Sequence, residues 1–504
     1  MAKQLVHFGL NYAGSLGLNK QESDDSLDPR WASTATNFVF DQNGRLAARK
    51  GTRNVNATVV TNTPTIKSMH EYSDANASKL LIFAADNKLY KLVGDTATDI
   101  SGSITTPTGD NWQFTNFNDW CVGFQIGHDP IVLTTTGGTF ADSGGTQYSG
   151  AMVCAAGGRI WTATASVLYY SDLLINNFAG GSAGFFDLAS YWKDGMDEVV
   201  AISEFNGGIA VFGKNNIIIY DSVLSTAAMI ENITGIGCVA RDSIQQVGND
   251  LIFLSSGGLI ALSRVIQEKS LPDRDVSKNI RDYLLGYVSY PDGDNVKSSY
   301  NKKEGFYLLS FPTSNKVFQF NVRAALPDGT FRVTEWQRTF TSLLSTVDDT
   351  LYMGLETGYI QTYQGFLDNV ASDGTGGSGY TIDYDGLWND FGQEVSNYEK
   401  MLKRNALHIY GGFGYVVTLK WKFDYESDTV YTKSLTTEDG TWFDFGVAEF
   451  GISEFGTGSS NRVVKTPLKG SGRVVQMGLT TTTTGSEFGL QRIDIQAKIG
   501  KLQI

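Results

Sequence analysis

The chain has 504 residues and a mass of 55.0 kDa, which predicts two or three domains unless a repeat architecture extends a single one. Its formal net charge of −13 and pI of about 4.9 argue against tight DNA or RNA binding, because such binding relies on Lys and Arg displacing counterions. Glycine is abundant, with 56 residues, and proline is scarce, with 9, which favours many tight turns and few helices.

The cysteine content and the hydropathy of the sequence indicate the cellular compartment in which the protein folds. The chain has only Cys121, Cys154 and Cys238 and no Cys-x-x-Cys pair, which predicts buried thiols in a reducing compartment rather than a disulfide framework. The first residues, MAKQLVHFGLNYAG, hold one lysine and a very short apolar patch, unlike a secretory signal. No stretch approaches the roughly 20 apolar residues that span a bilayer, so we expect no membrane-spanning segment.

Residues 1–60 are predicted to form an arm followed by a hairpin. Residues 21–28 (QESDDSLD) are polar and acidic, which is typical of an exposed loop. Residues 37–51 (NFVFDQNGRLAARKG) alternate around Asn43-Gly44, a dipeptide that favours a tight hairpin turn. We expect this hairpin to pair with later strands and to close a ring, since closure removes exposed sheet edges.

A strand and turn cycle recurs from residue 68 onward. It is clearest in VVAISEFNGGIAVFGKNNIIIYDS and DSIQQVGNDLIFLSSGGLIALS, which follow each other between residues 199 and 263. Residues 206–208 and 214–216 separate the β-branched and aromatic runs with residue types that tolerate positive φ, as hairpin loops require. Copies start roughly 30 to 55 residues apart, which predicts an irregular β-propeller of about six or seven blades over residues 61–370. A stack of sandwiches is the alternative.

One helix interrupts the predicted cycle. In residues 275–286 (DVSKNIRDYLLG), the apolar residues fall on one helical face. Asp275 is predicted to cap the start of the helix and Gly286 to end it. We expect the helix to pack between two blades, and the alternative is a helix that binds a partner.

The character of the chain changes after residues 371–379 (ASDGTGGSG). LHIYGGFGYVVTLKWK and FGLQRIDIQAKIGKLQI both alternate apolar and polar residues, which predicts an additional C-terminal β-sandwich-like domain over residues 371–504. The five threonines at 480–484 are predicted to be extended and exposed on at least one face. The predicted fold class is therefore all-β.

Two glycine-rich motifs match known site patterns by letter. Residues 180–184 fit G-x-S-x-G around Ser182, but their context is a loop, and His408 is the only later histidine. Residues 374–379 fit G-x-G-x-x-G, but the following YTIDY is typical of a strand, so no helix N-terminus faces a pyrophosphate. We predict neither a serine hydrolase nor a dinucleotide site.

The titratable residues form no pattern that predicts catalysis or metal binding. The four histidines are scattered, at His7, His70, His128 and His408. The pairs Asp348-Asp349 and Asp383/Asp385 leave a glycosidase open, although such residues are commonly turn formers. Residues 436–442 (TTEDGTW) are one residue short of the Asp-box of some sialidase-like propellers. We predict no catalytic, cofactor-binding or metal-binding residues, and a protein that is not an enzyme.

Several stretches, taken in order, resemble the tail-nozzle family of short-tailed bacteriophages (podoviruses), also called tail-hub or packaged-DNA stabilisation proteins. NFVFDQNGRLAARKGTRNV resembles the early hairpin of that family, and VVAISEFNGGIAVFGKNNIIIYDS resembles its central blade. DVSKNIRDYLLG falls where the family has a short helix after a blade. SLTTEDGTWFDFG and FGLQRIDIQAKIGKLQI resemble its C-terminal turn and last strands.

The resemblance implies a structural virion protein of the phage tail, assembled in the bacterial host cytoplasm. Such a subunit is a β-propeller in a ring, usually a hexamer, below the portal and adaptor, with tail fibres or tailspikes outside. Its channel retains the genome and conducts it during DNA ejection without sequence-specific binding, and an acidic lumen would repel DNA phosphates. The alternatives are a carbohydrate-binding or carbohydrate-cleaving β-propeller tail component and a cellular propeller scaffold, which would have more regular repeats.

Overall fold

The computed structural model describes residues 5–60, 62–192, 197–221, 228–268, 275–288, 295–392, 395–412, 414–426, 428–437 and 461–502. Strands make up 51% of the protein and helices 6%, which confirms the all-β prediction made from its recurring strand and turn pattern. The strands form a β-propeller, and a C-terminal β-sandwich extends from one of its blades.

The N-terminal region supplies short strands that join sheets formed by later parts of the chain. These strands are β1 (Leu5–Asn11), β2 (Gly17–Leu18), β3 (Trp31–Thr36), β4 (Phe38–Phe40), β5 (Leu46–Ala48) and β6 (Thr52–Asn54). A 3-10 turn at Asp24–Ser26 lies within the acidic stretch 21–28, most of which is exposed, as the sequence predicts.

Four blades follow in sequence, each a four-stranded antiparallel sheet whose first strand lies nearest the propeller axis. The first two blades are β7 (Ser68–Ser73), β8 (Lys79–Ala85), β9 (Lys88–Val93) and β10 (Thr96–Asp99), then β11 (Gln113–Phe117), β12 (Trp120–Gln125), β13 (His128–Leu133) and β14 (Ala141–Asp142). The third and fourth blades are β15 (Val153–Ala156), β16 (Arg159–Thr164), β17 (Val167–Tyr170) and β18 (Gly184–Asp187), then β19 (Val199–Phe205), β20 (Gly208–Gly213), β21 (Asn216–Tyr220) and β22 (Met229–Thr234).

A three-stranded sheet and two more blades complete the ring. The three-stranded sheet is β23 (Gln245–Val247), β24 (Asp250–Ser255) and β25 (Gly258–Ala261), and it precedes helices α1 (Leu262–Glu268) and α2 (Arg281–Leu285). The fifth blade is β26 (Lys297–Asn301), β27 (Phe306–Phe311), β28 (Lys316–Asn321) and β29 (Arg332–Trp336), and the sixth begins with β30 (Ser342–Ser345), β31 (Leu351–Gly354) and β32 (Ile360–Tyr363). Within the described ranges, the propeller thus has six four-stranded blades and one three-stranded sheet.

The ring closes with a strand from the N-terminal region. β6 pairs antiparallel with β32 and forms the outermost strand of the sixth blade, while the innermost strands β30 and β7 lie side by side. The sequence places this closure in the hairpin of residues 37–51, and that placement needs correction. The hairpin forms, as β4 and β5, but β5 pairs with a strand of the C-terminal sandwich, so the strand that follows the hairpin closes the ring.

The hairpin turns explain why the blades fold where the sequence predicts them. Phe205 and Gly208 are paired across the turn between β19 and β20, so Asn206 and Gly207 form a two-residue loop. Their φ angles are +50° and +79°, the left-handed conformation that a tight hairpin between twisted strands requires. Asn and Gly adopt it at low steric cost, which fixes the register of the fourth blade.

The predicted helix at residues 275–286 is shorter in the structure. A 3-10 turn at Lys278–Ile280 leads into α2, and Gly286 follows its last residue, as predicted. Asp275 does not cap the helix, because its carboxylate instead accepts hydrogen bonds from the hydroxyl of Ser277 and the guanidinium of Arg281. The helix α1 is not predicted from the sequence, because its first residues directly follow the buried strand β25 and continue its apolar character.

The C-terminal sandwich consists of two facing sheets. Its strands are β33 (Thr381–Asn389), β34 (Tyr398–Gly411), β35 (Val416–Phe423), β36 (Tyr431–Thr436), β37 (Asn461–Pro467), β38 (Ser471–Gly472), β39 (Val475–Thr482) and β40 (Phe488–Leu502). One sheet is built around β34 and β40, with β1 on the edge of β40. The other continues the fifth blade outward through β29, β3, β33, β39, β35 and β36, so one ten-stranded sheet belongs to both the propeller and the sandwich.

One of the hydrophobic clusters, the largest, spans both parts. It includes Ile252 and Leu254 of the three-stranded sheet, Phe318 of the fifth blade, and Leu407 and Ile495 of the sandwich. The threonine run lies partly in β39, where Thr481 is buried and Thr482 is exposed, in agreement with the predicted extended conformation. Because this hydrophobic cluster spans both parts, the propeller and the sandwich share apolar contacts that neither would have alone.

Lys400 gives the sandwich a pH dependence of its own. This lysine of β34 is fully buried, and its ammonium donates to the backbone carbonyls of Arg473 and Tyr398 at 2.6 and 3.2 Å. Burial lowers its pKa to about 8 from 10.5. The unfolded chain therefore binds more protons between these values, so we expect the free energy of unfolding to rise by up to about 3 kcal/mol from pH 8 to pH 10.5.

Chemical unfolding of the wild type and Lys400→Met at a series of pH values measures this effect. The difference between the two proteins isolates Lys400 from the other titrating groups. We expect the Met variant to lack the rise, and parallel profiles for the two proteins would contradict the assignment.

Candidate functional site

The propeller axis holds a polar cavity of about 420 Å³. Innermost strands of all six blades line it, together with β23 and a 3-10 turn at Arg241–Ser243 that precedes β23. Its walls carry Lys67, His70, Glu204 and several serines. In a propeller the loops and inner strands converge on the axis, so this cavity is the first candidate for a binding or catalytic site.

A network of charged side chains crosses the cavity wall. Asp242 accepts hydrogen bonds from Arg241, at 2.7 and 3.0 Å, and from the ammonium of Lys297 at 2.5 Å. Asn111 accepts from the same two cations, at 2.9 and 2.7 Å. Arg241 also donates to the backbone carbonyl of Ala151 at 2.6 Å. The network therefore ties together the second, third and fifth blades and the three-stranded sheet.

The network is poised to keep its carboxylate ionised. Burial raises the pKa of Asp242, but the positive charges of Arg241 and Lys297 more than offset that effect and hold the pKa well below its ordinary value. All three side chains are mostly buried, with 10 to 19% of each side chain exposed. The carboxylate is thus a structural counter-ion and not a proton acceptor at neutral pH.

The hydroxyl groups of the cavity are also engaged in structural contacts. Ser298, Ser342 and Ser203 donate to the backbone carbonyls of Asp242, Ile66 and Glu204. Burial lowers the pKa of His70, and its Nε2 lies 3.0 Å from Asn116 Oδ1. A serine nucleophile requires an adjacent base, and no such pair occurs among the described residues of the cavity.

Neither glycine-rich motif builds a site in the described structure. Ser182 lies in a turn that leads into β18, and its hydroxyl donates to Asp172, so the loop context predicted from the sequence is confirmed. Residues 374–379 precede β33, as expected, and Ser378 forms a bridge with Asp368. Both motifs therefore connect strands.

The histidines are scattered in the sequence, but the fold brings two of them to one carboxylate. His408 Nε2 lies 3.0 Å from Asp494 Oδ2, and His7 Nε2 lies 3.9 Å from the same atom. Arg492 donates to the other carboxylate oxygen at 2.5 Å. The cluster forms because β1 and β34 flank β40, a pairing between distant segments that spacing along the chain does not reveal.

The candidate carboxylate pairs are held by lysines or lie in turns. Asp383 and Asp385 both bind the ammonium of Lys420, at 2.6 and 2.9 Å. Asp348 binds the ammonium of Lys79 at 2.7 Å, and Asp349 adopts a φ of +59° in the turn between β30 and β31. Asp349 is therefore a turn residue, as the sequence predicts, whereas Asp383 and Asp385 lie within β33 and form an ion pair with Lys420.

The remaining predicted features are resolved in part. Cys121 and Cys238 are buried, and Cys154 is half-buried in the axial cavity wall. Burial raises the pKa of the Cys238 thiol to about 11, so it remains protonated. Residues 438–442 of the TTEDGTW stretch lie outside the described residues.

No group of three or more His, Cys, Asp or Glu side chains in the described ranges is arranged to hold a metal ion. Among the helices that the structure describes, none has the length and apolar character that crossing a bilayer requires.

Comparisons with known proteins assign no family to the chain. No family model and no curated protein sequence matches the chain. Among solved structures, it is similar to the extracellular domain of a putative one-component system from B. thetaiotaomicron, with 9% identity and a TM-score of 0.41 over 68% of this chain and 46% of that one. The chain therefore spans less than half of that protein.

Two further structures are covered almost completely. The WD40 domain of Neurospora crassa Pan2 matches with 7% identity and a TM-score of 0.39, over 62% of this chain and 96% of that domain. YCF48 bound to D1 peptide matches with 11% identity and a TM-score of 0.37, over 62% of this chain and 97% of that one.

Proposed function

We propose that this chain is a non-catalytic structural subunit of a podovirus tail, the nozzle or hub ring below the portal and adaptor that retains and then conducts the genome. The proposal rests on the rigid connection between the propeller and the sandwich. One ten-stranded sheet and one apolar core join the propeller to the sandwich, so load on one part is transmitted to the other. The stretches that resemble the tail-nozzle family supply the biological setting.

The axial cavity bears on where DNA would pass. The network of Arg241, Asp242 and Lys297 lies across the cavity wall, and about 420 Å³ is far too little for a duplex. In the proposed ring, the conduit is therefore the space enclosed between subunits and not the axis of a single propeller. The net charge of −13 suits a lumen that repels phosphates and lets DNA slide.

Exposed apolar side chains offer a surface for ring formation. Phe185 on β18 and Ile230 on β22 are 63% and 60% exposed, and both lie on outermost strands of neighbouring blades. Outermost strands carry unpaired sheet edges, and contact with another subunit would cover both the edges and these side chains. We expect a second copy of the chain to bury them in the ring.

Native mass spectrometry of the purified chain tests assembly, and we expect a closed ring, usually of six copies. Phe185→Glu and Ile230→Glu are expected to abolish the ring, whereas Thr96→Glu, on the outermost strand of the first blade, should leave it intact. Immunogold labelling of purified virions tests location, and label at the tail vertex is expected. A chain that is monomeric at every concentration and absent from virions would refute the proposal.

The carbohydrate alternative remains a prediction from the sequence. It requires two carboxylates that converge on an open cleft. Asp383 and Asp385 instead share Lys420, and no observation on the described residues favours a glycan site over the structural role.

A further inference from the structure

The C-terminal sandwich contains an apolar cavity that is unrelated to the propeller axis. The cavity has a volume of about 380 Å³ and lies between the two sheets, with β1 and β40 on one side and β33 and β39 on the other. Its walls are formed by Phe8, Leu10, Leu387, Met477, Ile493 and Ile495. Four of these side chains are 5% exposed or less, so most of the lining is buried.

The pleat of β1 explains why the cavity is apolar. Phe8 pairs with Ile495 and Leu10 pairs with Ile493, and all four side chains point between the sheets. The alternate residue Gly9 pairs with Asp494, whose ion pairs lie on the outer face. The ring of Phe8 stacks on that of Phe391 at 4.3 Å, and this contact bridges the two sheets beside the cavity. Charged groups are thus kept out of the interior.

We propose that this cavity is a binding site for one small apolar molecule, a medium-length acyl chain. Its volume is more than twice the roughly 150 Å³ of an apolar cavity that stays dry and binds benzene, so the ligand is larger than a single ring. Its position between two sheets restricts it to a small molecule, since nothing bulky fits between facing strands about 10 Å apart.

The mouth of the cavity sets the polarity of the ligand. Asn389 lies at the rim and is half-buried, so a polar end group reaches water there while the apolar part fills the interior. Lining of this kind, with many apolar walls and few polar groups at the entrance, is typical of sites for apolar small molecules. The site does not depend on ring assembly or on the proposed tail function.

Fluorescence titration with N-phenyl-1-naphthylamine, a neutral probe that brightens in apolar surroundings, tests the site. We expect saturable binding of one probe per chain, and displacement by decanoate. Leu10→Trp, which places an indole in the cavity, should weaken probe binding at least tenfold. Leu5→Trp is the matched control on the same strand, because Leu5 lies on the opposite, exposed face and its variant should bind within twofold of the wild type.

A second variant protects the test against a folding defect at β1. Val475→Phe fills the cavity from β39 and is expected to lose binding to the same extent. Near-ultraviolet circular dichroism checks that each variant is folded. The proposal is overturned if the wild type shows no saturable binding, or if folded variants that fill the cavity bind the probe as the wild type does.

Discussion

Replacing Arg49 with methionine is expected to lower the free energy of unfolding by about 3 kcal/mol, because the change leaves the buried carboxylate of Asp368 short of a partner. Arg49 is 1% exposed, and its guanidinium donates to both carboxylate oxygens, at 2.9 and 2.6 Å. It also lies 3.8 Å from the centre of the Tyr380 ring. Arg338, 3.7 Å from the same carboxylate, keeps the loss at the lower end of the range for broken buried pairs.

This effect is large because Arg49 fastens three parts of the chain. It follows the N-terminal hairpin, Asp368 follows the sixth blade, and Tyr380 leads into the sandwich. Arg49→Lys is expected to be intermediate, since an ammonium retains the charge but not the two-pronged geometry. Chemical unfolding followed by tryptophan fluorescence measures the free energy of unfolding of the wild type and of both Arg49 variants.

The exposed pair between Arg30 and Asp28 provides the control. Its atoms are as close, at 2.7 Å, but 49% and 39% of the two side chains are exposed. Solvent screens such pairs, so Arg30→Met is expected to change stability by less than about 1 kcal/mol. An Arg49→Met variant as stable as Arg30→Met would show that the buried pair does not hold these segments together.

At the propeller axis, the variant Asp242→Asn is expected to lower the free energy of unfolding by a similar amount, about 3 kcal/mol. It removes the negative charge that Arg241 and Lys297 share and leaves two buried cations side by side. The double variant Asp242→Asn/Lys297→Met removes one of those cations, and we expect it to regain part of the loss. A single variant that melts at the wild-type temperature would contradict this account of the network.

The same residue predicts a pH effect. The pKa of Asp242 lies below its ordinary value of 3.8, so the stabilisation is fully present above that value and is lost as pH falls toward the lowered pKa. The wild type should therefore lose stability below pH 4 more steeply than Asp242→Asn. Thermal unfolding between pH 2 and pH 7 gives this comparison, and equal slopes would argue against it.

The sequence predicts what local residues decide. Asn206 and Gly207 specify a tight turn, and the apolar alternation around them specifies the strands, so the blades and their order follow from short stretches. Asp275 shows where such reasoning fails, because a carboxylate ahead of a helix is a common cap, yet here Arg281 competes for it. Local preference was overridden by a charge six positions away.

The axial network shows a different limit. Asn111, Arg241 and Lys297 come from three separate segments, and none of them belongs to a motif. They meet because each lies in, or just before, the innermost strand of a different sheet, and the closed ring brings these strands together. Ring closure by β6 could not be predicted from the sequence either, because an alternating pattern over three residues is too short to separate this strand from the preceding hairpin.

The pairing of β6 with β32 has a consequence for synthesis of the protein. Partners in this pair are 309 positions apart, so the ribosome needs roughly 15 to 60 seconds to make the second after the first, at about 5 to 20 residues per second. During that time β6 is synthesised but has no partner strand. We therefore expect the protein to fold slowly, and we expect chaperones that bind the unpaired β6 segment until β32 is synthesised to increase the yield of folded protein.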